Sequence, residues 1–237
     1  MLSKNQLKRF TKLKQKKYRD AEGLFIAEGK KLVEDLLKRG AEAECLVTHQ
    51  DKEATSKYVQ VDENDFKRLS SLDNPSGTLG VFKKPQDDGR SDGWILALDG
   101  LRDPGNMGTI LRCADWFGLS RVVCSQDTVD CFNPKAVQAS MGSVANIRVE
   151  YCDLRAFLQE EQLPVFGTFM EGEALEENPL PQEGILVLGN EGQGIREETA
   201  AVIDRKVKIS KHPLAQAESL NVATAAAIFM AALPTRK

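Results

Sequence analysis

Residues 220–235 read LNVATAAAIFMAALPT, a stretch without a charged residue near the end of a 237-residue chain. It predicts a helix that is apolar on all sides, and such a helix belongs in a protein interior. The stretch is shorter than the roughly 20 apolar residues that span a membrane. The N-cap cluster Glu218-Ser219-Leu220-Asn221 precedes it. We therefore expect a buried helix with polar groups at its N-terminus.

Upstream of this helix, from residue 94 onward, predicted strands and helices alternate. This is the pattern of an α/β fold with a mostly parallel sheet. The predicted strands are 94–98, 121–124, 147–151, 165–169, 185–188 and 206–209. The predicted helices are 107–117, 134–140, 153–161 and 197–203. Because ligands bind outside the carboxyl ends of strands in such sheets, the turns that follow the strands are the expected place for a site.

Residues 1–84 predict a smaller α/β unit with its own core. Its predicted strands are 24–27, 45–47 and 78–82. Its predicted helices begin at a capping box at Ser3 and cover 29–39 and 62–69. The stretch 85–93, PQDDGRSDG, is polar and contains Pro and Gly, as linkers do. We predict one domain at 1–84, a linker at 85–93 and a second domain at 94–237.

Charge is distributed unevenly along the chain, whose net charge is −3. Residues 1–19 carry eight Lys or Arg and no acid, whereas residues 151–200 carry eleven acids and two arginines. A basic arm predicts an anionic partner such as nucleic acid, and a solvated helix face is the alternative. Five cysteines without a C-x-x-C spacing, and only two histidines, argue against disulfides and metal. With no N-terminal apolar run, we expect a cytoplasmic protein without membrane contact.

Two polar turns after predicted strands contain residues suited to a binding site, and for the first turn an ordinary strand–turn–helix connection is the alternative. The first, DGLRDPGNMG at 99–108, has glycines that permit close backbone approach, and Asn106 can cap the next helix. Arg112 in that helix offers a rigid fork of donors suited to phosphate. The second turn is GNEGQG at 189–194, with Ile195 where a P-loop needs Lys. Since Glu191 would repel phosphates, this turn suits a cationic or donor-rich ligand.

Three motifs in fixed order connect these turns to a third one at 210–221. They are N-x-G-x-x-x-R at 106–112, G-x-E-x-x-G at 189–194 and S-L-N-V-A at 219–223. The set resembles the motifs of the SpoU/TrmH family of RNA ribose 2′-O-methyltransferases, in the SPOUT superfamily, over about residues 94–232. Residues 1–84, with Glu28-Gly29 and SGTLGV at 76–81, are similar to the ribosomal-protein-like RNA-binding domain of many members.

The resemblance implies a trefoil-knotted domain that binds S-adenosylmethionine and forms a homodimer. It implies methyl transfer to a ribose 2′-OH in rRNA or tRNA. The residues that it implies at the cofactor are Leu188, Gly189, Asn190, Gly194, Ile209, Leu220 and, closing its own strand, Thr168. Family members commonly have Ile-Pro-Met and a glycine before the S-L-N motif, whereas this chain has ISKHPLAQAE at 209–218. The resemblance therefore leaves the shape of the cofactor cover open.

The same resemblance makes Arg112 the central catalytic residue, proposed in the family as the base. Because arginine is not deprotonated in proteins, we interpret Arg112 as a clamp on the target phosphate that also stabilises a developing alkoxide. The side chains expected to orient Arg112 and the ribose are Asn106, Glu191, Ser219 and Asn221.

Two other functions stay open on the sequence alone. A non-catalytic RNA-binding protein could keep this fold, although the presence of Arg112, Glu191 and Asn221 counts against it. An RNA base methyltransferase could use the same scaffold, although the S-L-N-V motif favours ribose.

Overall fold

The computed structural model describes residues 2–50, 57–85 and 93–234. Two compact units make up the chain: the first is Met1–Gln86 with Asp130–Asn146, and the second is Asp87–Val129 with Ile147–Lys237. Most of the predicted linker at 85–93 lies outside the described residues, as does Thr235 at the end of the predicted C-terminal helix. The domain boundaries stay a prediction.

The first unit contains one four-stranded sheet, in the order β1-β4-β2-β3. Its strands are β1 (Leu24–Glu28), β2 (Ala43–Thr48), β3 (Val59–Gln60) and β4 (Thr78–Lys83). Its helices are α1 (Lys4–Lys12), α2 (Lys16–Glu22), α3 (Lys30–Lys38), α4 (Glu63–Leu69) and α6 (Pro134–Ser140). The capping box at Ser3 is confirmed, since Gln6 donates its N–H to Ser3 Oγ at 3.2 Å and accepts from the Ser3 N–H at 3.0 Å. Helix α2 and strand β3 were not predicted.

Helix α1 is amphipathic as predicted, with Leu7 and Phe10 buried and its lysines exposed. Arg19 in α2 departs from the expectation of a basic arm, because it is only 2% exposed. It donates to Asp130 Oδ2 from Nε at 2.9 Å and from Nη2 at 2.6 Å, and to the Leu13 carbonyl at 2.8 Å. A buried guanidinium needs such a paired carboxylate, so Arg19 is a structural residue of the first unit.

The second unit contains a six-stranded sheet in the order β10-β8-β9-β5-β6-β7, parallel at every pairing, which confirms the predicted α/β class. Its strands are β5 (Trp94–Leu98), β6 (Arg121–Ser125), β7 (Arg148–Cys152), β8 (Val165–Ala174), β9 (Gly184–Leu188) and β10 (Arg205–Lys208). Its helices are α5 (Pro104–Trp116), α7 (Leu154–Glu160), α8 (Glu197–Ala200) and α9 (Val222–Ala231).

Strands β5 and β9 are wholly buried apolar runs at the centre of this sheet. They pair in parallel up to Leu98, which lies opposite Leu188. The turns that begin at Asp99 and Gly189 therefore start side by side at one edge of the sheet. This pairing places two of the three predicted motifs together.

Two expectations about the second unit are wrong. Strand β8 continues to Ala174, so Thr168 lies inside it and does not close it. Helix α9 is not buried on all of its faces. Ala226 and Phe229 are buried, but Ile228 is 38% exposed. The reason is that only one face of α9 packs, against α5. Among the described residues, no helix combines the length and the apolar character needed to traverse a bilayer.

Candidate active site

The first and second turns are joined through one carboxylate. Glu191 accepts hydrogen bonds from the backbone N–H of Arg102 at 3.3 Å and of Asp103 at 3.1 Å. It also accepts from Asn106 Nδ2 at 3.0 Å. The donors that reach Glu191 are therefore backbone and amide groups of the first turn, and the expected cationic or donor-rich ligand of the second turn stays a prediction.

Asn106 does not cap α5, contrary to the prediction. The N-cap is Asp103, whose Oδ1 accepts the Asn106 N–H at 2.8 Å, and Pro104 occupies the first turn. Proline favours the first helical position because its missing N–H is not needed there. With the cap supplied by Asp103, the Asn106 side chain is free to reach Glu191.

The third turn joins this cluster through Asn221. Its Nδ2 donates to Asn106 Oδ1 at 3.0 Å, and its Oδ1 accepts from the N–H of Ala223 at 2.9 Å as the N-cap of α9. The hydrogen-bonded chain Asn221–Asn106–Glu191 thus links all three motifs, although its members are 85 and 115 residues apart along the sequence. We call it the amide–carboxylate bridge.

Arg112 and Ser219 lie outside the bridge. Both are exposed, and neither side chain makes a hydrogen bond or an ion pair with any described residue. Arg112 follows Asn106 by six residues on α5, about 9 Å along the helix axis. The structure therefore brings three of the five predicted catalytic residues together and leaves the Arg112 guanidinium available to an external anion.

The second turn is a closed loop that requires glycine at its base. Asn190 and Gly194 exchange two backbone hydrogen bonds of 2.9 Å, and Asn190 Oδ1 accepts from the N–H of Gly192 at 2.9 Å. A Cβ on Gly189 would overlap the backbone of Gly194 and Ile195. Gly194 has φ +72°, a value that favours glycine. Glycine at these two positions is thus required by the closure of the loop itself.

The residues predicted to hold S-adenosylmethionine differ in how far the fold already uses their backbone hydrogen-bonding groups. Among the described residues, the backbone groups of Gly189, Ile209 and Leu220 make no hydrogen bond, so their donors and acceptors are available. The Leu188 carbonyl is already used by the Asp99 N–H at 2.8 Å. Free peptide groups suit the adenine edge and the amino-acid part of the cofactor. In the described part of the chain, no cluster of three His, Cys, Asp or Glu could hold a metal ion.

One ion pair at this edge of the sheet was missed by the sequence analysis. Asp99, fully buried at the end of β5, accepts from the Arg196 backbone N–H at 3.0 Å and from Arg196 Nε at 2.7 Å, and it also contacts Nη2. Arg196 follows the second turn, so the pair fixes that turn to β5. The only signal in the sequence was an acid directly after an apolar strand.

The ionised form of Glu191 stabilises the connection between the first and second turns. Burial alone would raise the pKa of this carboxyl, but hydrogen bonds from the Asn106 side chain and from backbone N–H groups hold its pKa below the ordinary value. A depressed pKa in the folded state means that the ionised form favours folding. This contribution is fully present above the ordinary pKa and is lost as the pH falls through the depressed one.

We therefore expect Glu191→Gln to be less stable than the wild type at neutral pH. The difference in the free energy of unfolding should shrink as the pH falls below about 5, because protonation removes the same charge from the wild type. Urea denaturation at a series of pH values measures it. Glu160→Gln, at an exposed glutamate of α7, is the control and should change stability little at any pH. A difference for Glu191→Gln that stays constant down to strongly acidic pH would contradict the assignment.

Two protein-family models match the chain. The model described as the SpoU rRNA Methylase family covers residues 93–231. The model described as an MRM3-like substrate binding domain covers residues 4–80. The first match includes all three turns, and the second includes the basic N-terminal helices.

Relatives and solved structures match along almost the whole chain. The 23S rRNA (guanosine(2553)-2′-O)-methyltransferase RlmP of Bacillus subtilis is 35% identical over 96% of this chain and 96% of its own length. A TrmH-family RNA methyltransferase structure from Porphyromonas gingivalis has a TM-score of 0.85 at 41% identity, covering 98% of this chain and 97% of that one. The AdoMet-bound rRNA methyltransferase of Sinorhizobium meliloti has a TM-score of 0.81 at 30% identity, covering 97% and 94%.

Proposed function

Because the chain belongs to the SpoU family and is an S-adenosylmethionine-dependent RNA ribose 2′-O-methyltransferase, we propose that its substrate is ribosomal RNA and that Arg112 and the amide–carboxylate bridge form its active site. The amide–carboxylate bridge is the observation that carries this assignment, since it fixes the three motifs in one place. The ribosomal substrate of the Bacillus subtilis relative supports the choice of RNA.

The cofactor supplies the methyl group that the ribose 2′-oxygen accepts. The residues that we assign to its binding are Leu188, Gly189, Asn190, Gly194, Ile209, Leu220 and Thr168. Gly189, Ile209 and Leu220 are the strongest of these, because their backbone donors and acceptors are free. Thr168 is supported by its position directly after Gly167, which pairs with Val187, the residue before Leu188.

Arg112 acts on the RNA in this proposal. Its exposed guanidinium holds the phosphate beside the target ribose, and its positive charge stabilises the 2′-oxygen as that oxygen loses its proton to solvent. Glu191 is not the base, because its oxygens already accept four hydrogen bonds, from Arg102, Asp103, Asn106 and Asn190. We assign Glu191, Asn106 and Asn221 as positioning residues, with Ser219 at the mouth of the site.

We further propose a homodimer of cytoplasmic, trefoil-knotted chains. Trp116 on α5 is 84% exposed and Ile228 on α9 is 38% exposed, and the two helices pack together. Exposed apolar surface of this kind is typical of a protein–protein interface. A sedimentation mass of one chain at micromolar concentration would contradict the dimer.

The five cysteines are free thiols, which fits a reducing compartment and supports the proposed cytoplasmic location.

The experiment that tests the function is transfer of labelled methyl from S-adenosylmethionine to unmodified rRNA and tRNA pools. After alkaline digestion, label is expected in an alkali-resistant dinucleotide from rRNA, because alkaline cleavage needs a free 2′-OH. Label in alkali-sensitive mononucleotides would indicate base methylation, and label in tRNA alone would overturn the choice of rRNA. Cofactor binding without label in any RNA would favour the non-catalytic alternative.

A further inference from the structure

We propose that a cleft between α1 and α2 binds one unpaired nucleotide of the RNA. The proposal rests on the proposed function, because it takes the substrate to be RNA. The cleft has a volume of about 350 Å³ and lies within the first unit. The residues that line it are Asn5, Lys8, Arg9, Lys12, Tyr18 and Glu22.

Two lysines give the cleft its positive charge. Lys8 and Lys12 lie four residues apart on one face of α1, where like charges disfavour the helix. Neither forms an ion pair with any described residue, and both are exposed. A pair of lysines that costs helix stability and has no internal carboxylate is suited to an external anion, and a phosphate group provides one.

The other two charged residues of the cleft, Arg9 and Glu22, are held in one ion-pair group with Glu44. Arg9 donates from Nε to Glu22 Oε2 at 2.8 Å and also contacts Glu44. Its guanidinium is thus committed within the chain. One cation and two carboxylates give this group a charge of −1, which offsets one of the two positive charges of Lys8 and Lys12. The net charge that a ligand meets is positive.

Tyr18 and Asn5 add groups that a bare phosphate site does not need. The Tyr18 ring is half-buried, and the ammonium groups of Lys12 and Lys17 lie 4.9 Å and 4.8 Å from its centre. Within the described residues, neither the Tyr18 hydroxyl nor the Asn5 amide makes a side-chain hydrogen bond. An aromatic ring, an exposed amide without an intramolecular partner and cations together are groups that recognise unpaired bases in RNA. The volume of about 350 Å³ lies within the range of small-ligand sites.

The test is equilibrium binding of the full-length chain to a labelled, unstructured single-stranded RNA and to the same strand annealed to its complement. Lys8→Ala/Lys12→Ala should raise the Kd for the single strand about tenfold at low salt. It should also flatten the slope of log K against log salt by about 1.4, since each single-strand phosphate contact contributes roughly 0.7. Tyr18→Ala should raise the single-strand Kd by about five- to a hundredfold and leave the duplex Kd unchanged.

Matched control variants test whether a loss of RNA affinity is specific to the cleft. Lys38→Ala/Lys135→Ala removes two exposed lysines of the same unit, neither of which forms an ion pair with a described residue, and should leave affinity near wild type. Tyr18→Phe retains the ring and the packing and should bind the single strand more tightly than Tyr18→Ala. Thermal unfolding confirms that each variant is folded. Equal losses in the control pair, equal losses for duplex RNA, or no loss for Tyr18→Ala would each overturn the proposal.

RNA binding is measured without cofactor, so a result against the cleft can be distinguished from a result against the proposed methyl transfer. Variants that bind as the wild type while the wild type methylates RNA would overturn the cleft alone. A wild type that binds RNA through the cleft but transfers no methyl would overturn the proposed function and support the cleft.

Discussion

Replacing Arg112 by alanine is expected to lower the rate of methyl transfer to RNA by about 100- to 1000-fold, the usual effect of removing one donor that stabilises a developing negative charge. The fold should tolerate the change, because the exposed side chain of Arg112 makes no hydrogen bond or ion pair with a described residue. Single-turnover transfer with saturating cofactor measures the effect, and the melting temperature and cofactor affinity should stay near wild type.

Two further variants separate the role of Arg112 from its charge. Arg155→Ala removes an exposed arginine of α7 in the same unit and should transfer methyl at the wild-type rate. Arg112→Lys keeps the charge but loses the planar fork, so it should recover only part of the rate. Full activity in Arg112→Ala would show that another group stabilises the 2′-oxygen.

The second large effect is on stability. Arg196→Ala should lower the free energy of unfolding by about 3 kcal/mol, because it removes the guanidinium that pairs with the fully buried Asp99 carboxylate and leaves only the backbone N–H of residue 196. This is the lower end of the cost of a broken buried pair, since the Arg196 side chain is 36% exposed. Urea denaturation at neutral pH measures it.

Arg205→Ala is the matched control for this variant. Arg205 has the same 36% side-chain exposure as Arg196, but its partner Glu173 is 43% exposed, and solvated pairs contribute little. Its stability should stay close to wild type. Comparable losses in the two variants would mean that the burial of Asp99 does not determine the effect. Arg196→Ala should also weaken cofactor binding, because the second turn loses its attachment to β5.

Local signals explain why most elements could be predicted. Asp62 and Asp153 each precede a helix, and in the structure each accepts the N–H three residues further on. The strands 94–98 and 185–188 are apolar runs, and burial on both faces of a parallel sheet requires such runs. The amide–carboxylate bridge depends on tertiary structure, so the predicted roles of its members came from the resemblance, whereas their contacts came from the structure.

The errors arise where a local choice depends on distant parts of the chain. Asn106 and Asp103 can both cap a helix, and Pro104 decides for Asp103. The end of β8 was placed too early because the strand continues through exposed polar residues that pair with β10 after a register shift. The exposed face of α9 could not be recognised, since an apolar helix looks the same whether α5 covers one side of it or all sides are covered.

The ion pair between Arg19 and Asp130 has a practical consequence for dissecting the protein. The two residues are 111 positions apart, yet both belong to the first unit. A fragment that ends near residue 86 would retain the buried guanidinium and lack its carboxylate, together with α6, which packs on β1. RNA-binding studies on an excised N-terminal fragment would therefore report on a damaged domain. A shortened protein with the complete core of the first unit needs residues 130–146 joined to residues 1–86.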